Sequence, residues 1–355
     1  MKRNIALVCG GYSKEYDVSI RSAAEIARQI DREHYNVYKI VIDSNKWYYL
    51  PDDKEPLDIS LREIKLPYIE VDKNDFSLSC GDCGIADNGN NNDRRVKFDM
   101  AFIIIHGTPG ENGLLQGYFD MIGVPYNTCN ACVSALTFNK AYCNAVLAHY
   151  GIRVAPSVHL FKDVAFDVAG VIDTVGLPCF VKPNEGGSSV GVTKVKYAED
   201  LSAAIERAFA EDSEVIVEKF IVGKEYSCGL IRGFGKASEE ITVFPLTQSI
   251  PETEFFDYEA KYEGKSREVT PAEAPQALTD RIAEISRRVY EALHCFGIVR
   301  CDYIVEETTG EPYFLEINIT PGQSAQSIVP QQVRAMGRTL KEFYQFIIDA
   351  TLALH

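Results

Sequence analysis

Long hydrophobic runs are missing from this sequence. The N-terminal apolar stretch, Ile5 to Cys9, is far too short for the apolar core of a secretory signal. Nothing elsewhere approaches the length that spans a bilayer. No membrane partner and a cytoplasmic address are therefore expected. Basic charge is scarce as well. Lys and Arg number 36 against 51 Asp and Glu, a net charge of −15, whereas nucleic acid and anionic lipid both need a basic patch. Neither is an expected partner. No internal repeat is visible. The dinucleotide fingerprint G-x-G-x-x-G is absent. The one loop that nearly fits a phosphate-binding P-loop, Gly186 to Gly191, has no lysine after its last glycine.

Cysteine is not scarce. Ten are present, with two C-x-x-C pairs at Cys80/Cys83 and Cys129/Cys132. Paired C-x-x-C can bind zinc, but these pairs lie farther apart than in zinc ribbons. Reduced thiols are the plainer reading.

The 355 residues suffice for two or three compact units with a large core. Asn4 to Cys9 reads as a buried parallel strand closed by Gly10-Gly11. Ile20, Ala23, Ala27 and Ile30 recur at helical spacing, and Tyr35 to Ile42 is a second strand. This opening predicts a Rossmann-like half. Residues 80–97 are polar and Gly/Asn-rich and read as a surface insertion. Asp99 to Ile105 returns to a strand, 114–122 to helix, and a short strand starts at Gly123-Val-Pro125. Helix is expected over 134–150, 199–210, 276–294 and 339–353. Strands are expected around the glycine loop between Gly176 and Lys196, over 215–217, and over 223–231. Residues 247–274 have little periodicity and many charges, which suggests a long active loop.

The chemistry-bearing residues gather in five places. Strand residues alternate faces, so Arg300 and Asp302 share one face of the strand 299–305. Glu316 and Asn318 share one face of the return strand 312–318. Two carboxylates and an amide suit a hard cation such as Mg²⁺ that keeps positions open for phosphate oxygens. Arg300 could then stabilise an anionic oxygen. A solvated sheet face with an incidental ion pair is the alternative. Lys182 precedes the loop Asn184 to Gly191, whose glycines and serines could cradle phosphate; an ordinary β-turn is equally compatible. Glu218-Lys219 at a strand end could serve a nucleotide or be merely a charged terminus. Gly10-Gly11-x-Ser13-x-Glu15 and His106-Gly107-x-x-Gly110-Glu111 sit at strand C-termini, where open α/β sheets place ligands.

Taken together, GGYSKEYDVS (10–19), HGTPGENG (106–113), VKPNEGGSSVG (181–191), EKFIVGKE (218–225), DYEAKY (257–262), RCD (300–302) and LEINITPG (315–322) resemble the D-alanine–D-alanine ligases of the ATP-grasp superfamily. The resemblance implies an α/β (α+β overall) chain in three parts. These are a Rossmann-like domain over 1–134, a central ATP-binding domain over 135–224, and a catalytic domain over 225–355 carrying a lid loop at 247–274. ATP would lie between the last two. It implies ATP on Lys140, Lys182, Ser189, Glu218, Lys219, Ile221, Glu225 and Lys261. Two Mg²⁺ ions, with Mn²⁺ as a substitute, would sit on Asp302, Glu316 and Asn318. The first D-alanine's ammonium would meet Glu15, itself hydrogen-bonded to Ser188 and Tyr262. Arg300 and the Gly322 N–H would stabilise the oxyanion, Ser327 and Ile328 would receive the second D-alanine, and His106 would line the pocket. The implied assembly is a homodimer. The implied reaction joins two D-alanines through an acyl phosphate for cell-wall precursor synthesis. Alternatives are a D-alanine–D-lactate ligase or another ATP-grasp amino-acid ligase. The sequence departs from the family pattern at Tyr16, Asp17, Asn112, Gln323 and Gln326. The last lies beside the expected second-substrate carboxylate.

Overall fold

The computed structural model describes residues 2–43, 46–51, 69–79, 95–187, 190–251 and 266–353. The chain divides into two compact units. The first comprises Met1–Ala131, Phe296–Ile298 and Thr320–His355; the second comprises Cys132–Cys295 and Val299–Ile319.

The first unit is built on a sheet of β1 (Arg3–Gly10), β2 (Tyr35–Ile42), β3 (Trp47–Leu50), β4 (Ile69–Asp72), β5 (Ser77–Ser79), β6 (Arg95–Lys97) and β7 (Met100–Ile103). Their order across the sheet is β6-β5-β4-β3-β2-β1-β7. β1 runs parallel to both β2 and β7. Ile5, Ala6, Leu7 and Val8 are wholly buried, the pattern of a strand covered on both faces. Gly10 ends β1 at φ +94°, and a Cβ there would lie 2.4 Å from the Ile42 carbonyl oxygen. Only glycine fits this left-handed turn. Helices α1 (Tyr16–Gln29) and α2 (Leu114–Ile122) follow β1 and β7.

Helices α3 (Ala131–Phe138) and α4 (Lys140–His149) lead into the second unit. A four-stranded sheet there holds β8 (Ser157–Phe161), β9 (Cys179–Pro183), β10 (Thr193–Val195) and β11 (Glu214–Lys219), in the order β10-β9-β11-β8. It packs on α5 (Val168–Val175) and α6 (Leu201–Phe209), whose apolar residues share its core. The third sheet contains β12 (Gly223–Arg232), β13 (Ile241–Val243), β14 (Thr247–Pro251), β15 (Ser266–Val269), β16 (Val299–Glu306) and β17 (Pro312–Asn318). Helix α7 (Gln276–Ala292) packs against β12 and β13. Back in the first unit, α8 (Ile328–Ala335) and α9 (Leu340–Leu352) close the chain.

Three expectations change. No strand follows Pro125: the pairing is one bridge, Ala101 to Tyr126, with the Pro125 carbonyl accepting the Ala101 N–H. The single helix over 134–150 is two, because Asn139 leaves the helical conformation and caps α4 with its side chain. The aperiodic stretch 247–274 is strand at both ends, with Gln248 opposite Val269 and Ile250 opposite Arg267. Its inward positions are polar, since Thr247 and Ser249 are buried, and that hid the alternation. Residues 252–265 of this stretch lie outside the described residues, as do most of the 80–97 insertion and Cys80/Cys83. Cys129 is buried, with its thiol donating to the Phe296 carbonyl. Among the described residues no group of three or more His, Cys, Asp or Glu is placed to hold a metal.

Candidate active site

In the second unit the β16–β17 hairpin brings its polar residues onto one face. Arg300 stands opposite Asn318 and Asp302 opposite Glu316, after which the register shifts so that Tyr303 meets Phe314. This bulge at Leu315 lets Phe314 and Ile317 both stay buried although they lie an odd number of positions apart. Directly opposed side chains on one face have Cβ atoms about 4.5–5.5 Å apart, so the two carboxylates are neighbours.

The Asp302 carboxylate collects donors. Arg300 gives Nε to Oδ1 at 2.9 Å and Nη2 to Oδ2 at 2.7 Å. Ser227, opposite it on β12, donates to Oδ1 at 2.6 Å. The Asn318 Nδ2 donates to Oδ2 at 3.1 Å, which turns its own Oδ1 away from Asp302. Burial works against the Arg300 charge. Asp302, with Glu316 and Glu268 adding, outweighs it and holds the guanidinium above its ordinary range.

A second acid–base pair lies on the four-stranded sheet. Lys182 on β9 donates to Glu218 on β11 at 2.5 Å. Asn144 of α4 donates to the other carboxylate oxygen at 3.2 Å. Burial again opposes the cation, but Glu218, Glu316 and Glu225 together hold the Lys182 ammonium above its usual range. Lys140, the first residue of α4, reaches the Gly186 carbonyl at 2.6 Å. Ile221 is buried and Lys219 exposed, the latter's N–H donating to the Pro156 carbonyl. Glu225 stands on β12 opposite Ile304. Cations, carboxylates and an open glycine turn on this scale suit a polyphosphate with a bound divalent ion. Asp302, Glu316 and Asn318 fit Mg²⁺: they are oxygen donors, and fewer than a full octahedral shell, so the remaining positions fall to water and phosphate.

In the first unit, Glu15 and His106 lie at the C-terminal ends of β1 and β7. That is where the strand order splits to opposite sides of β1, the usual ligand crevice of an open parallel sheet. Ser13 ties the two segments, donating to the His106 carbonyl at 2.8 Å and accepting the Glu15 N–H. A Cβ on Gly107 would lie 3.9 Å from Glu15 Oε2. The turn from Thr320 to Ser327 is built similarly tightly. A Cβ on Gly322 would stand 2.9 Å from Ser327 Oγ, and Ser324 and Ser327 share a 2.7 Å hydrogen bond. Ser327 is the N-cap of α8 and Ile328 its first residue. The partial positive charge of a helix N-terminus suits a carboxylate.

Each unit thus brings together its own share of the expected residues. Ser188, Ser189, Lys261 and Tyr262 lie outside the described residues. Reading the sequence missed Ser227 and Asn144. Ser227 had a signal, since it is two residues from Glu225 on a strand and so shares its face; Asn144 had none, because its partner is 74 positions away.

Comparison with known proteins decides the family. Residues 4–129 match the model for "D-ala D-ala ligase N-terminus" and 146–349 that for "D-ala D-ala ligase C-terminus". The chain belongs to the D-alanine–D-alanine ligase family. A D-alanine–D-alanine ligase of Phocaeicola vulgatus is 46% identical over 98% of this chain and 99% of that protein. One from Parabacteroides distasonis is 45% identical over 99% and 98%. Among solved structures, the VanG D-Ala:D-Ser ligase of Enterococcus faecalis superposes with a TM-score of 0.82 at 29% identity, covering 98% of this chain and 99% of that one. The mixed α/β architecture is the ATP-grasp fold expected of a ligase of this family. No helix among the described residues is long and apolar enough to cross a membrane.

Proposed function

We propose that this chain is an ADP-forming ligase that joins two D-alanines for peptidoglycan precursor synthesis. The observation that carries the reading is the pairing of Asp302 with Glu316 across the β16–β17 hairpin, beside Arg300 and Asn318. The first D-alanine's carboxylate oxygen attacks the γ-phosphorus of ATP. The bridging P–O bond breaks, and D-alanyl phosphate and ADP form. The second D-alanine's amine attacks the acyl carbon, loses a proton, and expels phosphate.

Lys182 and Lys140 offset charge on the transferring phosphoryl group. Glu218 to Ile221 meets the adenine edge and Glu225 the ribose. Asp302, Glu316 and Asn318 would hold Mg²⁺, two ions in our reading with Mn²⁺ as a substitute, and the metal would neutralise phosphate charge. Glu15 receives the first ammonium, with His106 lining its pocket. The family resemblance implies that Arg300 and the Gly322 N–H stabilise the developing oxyanion; donors of this kind contribute about 3–4 kcal/mol each where tested. Ser327 and Ile328 take the second carboxylate at the head of α8. Ser188, Ser189, Lys261 and Tyr262 keep the roles the family resemblance implies. A cytoplasmic homodimer is part of the same proposal.

A D-alanine-dependent ADP-release assay, with the product identified by mass, tests the reading. The D-Ala:D-Ser relative makes one competitor specific, so D-serine and D-lactate belong in the same assay across pH. A mixed product dominating near neutral pH would replace D-alanine in the second subsite. No D-alanine-dependent ADP would remove the proposal.

A further inference from the structure

Resting on that reading, we infer that Glu214 is a positioning residue for the phosphate end of the nucleotide, acting through Asn139 and Asn184 on Lys140 and the glycine loop. One oxygen of Glu214, Oε2, gathers three side chains: Asn184 Nδ2 at 3.0 Å, Asn139 Nδ2 at 3.1 Å, and His159 Nε2 at 2.8 Å. The carboxylate requires the imidazole to carry its proton on Nε2. Both asparagines turn their other end onto the start of α4. Asn139 Oδ1 accepts the Tyr142 N–H at 3.0 Å, and Asn184 Oδ1 accepts the Ala141 N–H at 2.9 Å. The Asn184 carbonyl takes the Lys140 N–H at 3.2 Å. Two of the N–H groups that a helix start leaves open are therefore closed by side chains that hang from one carboxylate, and a third by the Asn184 backbone.

The consequence falls on Lys140. Its backbone is fixed by Asn184, and its ammonium reaches Gly186, two residues beyond Asn184 in the same loop. Glu214 thus sets where α4 begins and where the glycine loop leaves β9. The Tyr142 ring meets His159 edge-on at 5.4 Å and covers the hub from the α4 side. Asn184 is wholly buried, so it has no water to replace a lost partner.

Glu214 and Glu218 lie at opposite ends of the same strand face, four residues and about 13 Å apart. The base end and the phosphate end of the nucleotide can therefore be perturbed separately, which a general loss of stability would not do. The full-length protein is titrated calorimetrically with Mg-ATP and with AMP, and D-alanine-dependent ADP release is measured in parallel. Glu214→Leu is expected to raise the ATP dissociation constant and KM for ATP about ten- to a hundredfold, the range for a small misplacement of a positioning group. AMP affinity and KM for D-alanine should stay within about threefold. Glu214→Gln keeps an acceptor oxygen and should restore ATP binding to within about threefold of the original chain. His159→Phe removes one donor without the carboxylate and serves if Glu214→Leu does not fold; it should raise KM for ATP alone. Unchanged ATP affinity in the leucine variant, equal losses for ATP and AMP, or a glutamine variant as weak as leucine would each overturn the assignment. An original chain without D-alanine-dependent turnover would instead strike the proposed function, so the two failures are distinct.

Discussion

Replacing Lys182 by methionine isolates the energetics of the base-side pair. Glu218's side chain is only 8% exposed, and after the change its carboxylate keeps a single donor among the described residues, the Asn144 amide at 3.2 Å. Removing one partner of a buried ion pair costs about 3–5 kcal/mol, because a charge stays behind uncompensated. Lys182 is itself 22% exposed, so water reaches the gap and the lower end, about 3 kcal/mol, is expected. The double variant Lys182→Met/Glu218→Leu removes both charges. It leaves only the Asn144 amide unsatisfied, a penalty of about 1–3 kcal/mol, so it should be more stable than the single variant while still failing to bind ATP. Lys182's ammonium is held above its ordinary range by its carboxylates. The wild-type pair's contribution is then fully present below the unfolded value near 10.4 and fades only as pH rises through the higher folded one. Across pH 6–9 it should be flat. The chain's one tryptophan, Trp47, lies in the first unit and cannot report on this pair. Hydrogen exchange of β9 and β11 amides can, and it avoids assigning a two-unit protein a single unfolding free energy. A single-variant loss below about 1 kcal/mol, or a double variant no more stable than the single, would refute the reasoning.

Glu316→Gln should reduce D-alanine-dependent ADP release at least about a hundredfold while preserving the fold, since one charge of the proposed metal site is lost without changing side-chain volume; turnover within threefold of the original would remove Glu316 from that proposal. Gly223→Ala places a Cβ 2.0 Å from the Val305 carbonyl oxygen, and backbone cannot yield as a side chain can. A loss of about 1–3 kcal/mol or more is expected, and an unchanged thermal midpoint would show that β12 and β16 separate easily. The Asp31 carboxyl is held at about 2, chiefly by its hydrogen bond from Lys341 and then by the Glu33 N–H. A depressed carboxyl stabilises above its unfolded value near 3.9 and ceases to as pH falls toward 2. Lys341→Met should therefore raise the Asp31 midpoint in an NMR titration, and a midpoint that does not move would discount the pair.

The sequence was most readable where one period ran undisturbed. The strand expected over 35–42 is β2 to the residue, and the helix expected over 114–122 is α2. Apolar alternation also exposed the hairpin, because Arg300, Asp302, Glu316 and Asn318 interrupt an otherwise buried pattern. The bulge at Leu315 was not readable: it is a decision made by the pairing of two strands, not by either one. Helix α8 was missed for a related reason. Pro330 sits in its first turn, where proline is tolerated although it ordinarily signals a break. The Glu214 hub joins positions 139, 159, 184 and 214, and no local pattern links them. The four family positions outside the described residues carry roles from resemblance alone.

The route of the chain between its units bears on how the protein comes into being. The first 131 residues make the opening sheet, yet α9, which packs against them, is synthesised only after the second unit. Phe343 and Tyr344 are buried, Tyr344 rests edge-on against Phe102 of β7, and Tyr35 donates to Asp349. On a ribosome adding about 5–20 residues per second, that sheet must wait on the order of ten to forty seconds for its closing piece. During this interval part of its apolar face has no cover, and the nascent chain is at its most vulnerable to association. A truncation lacking only the final helix should expose the same surface permanently.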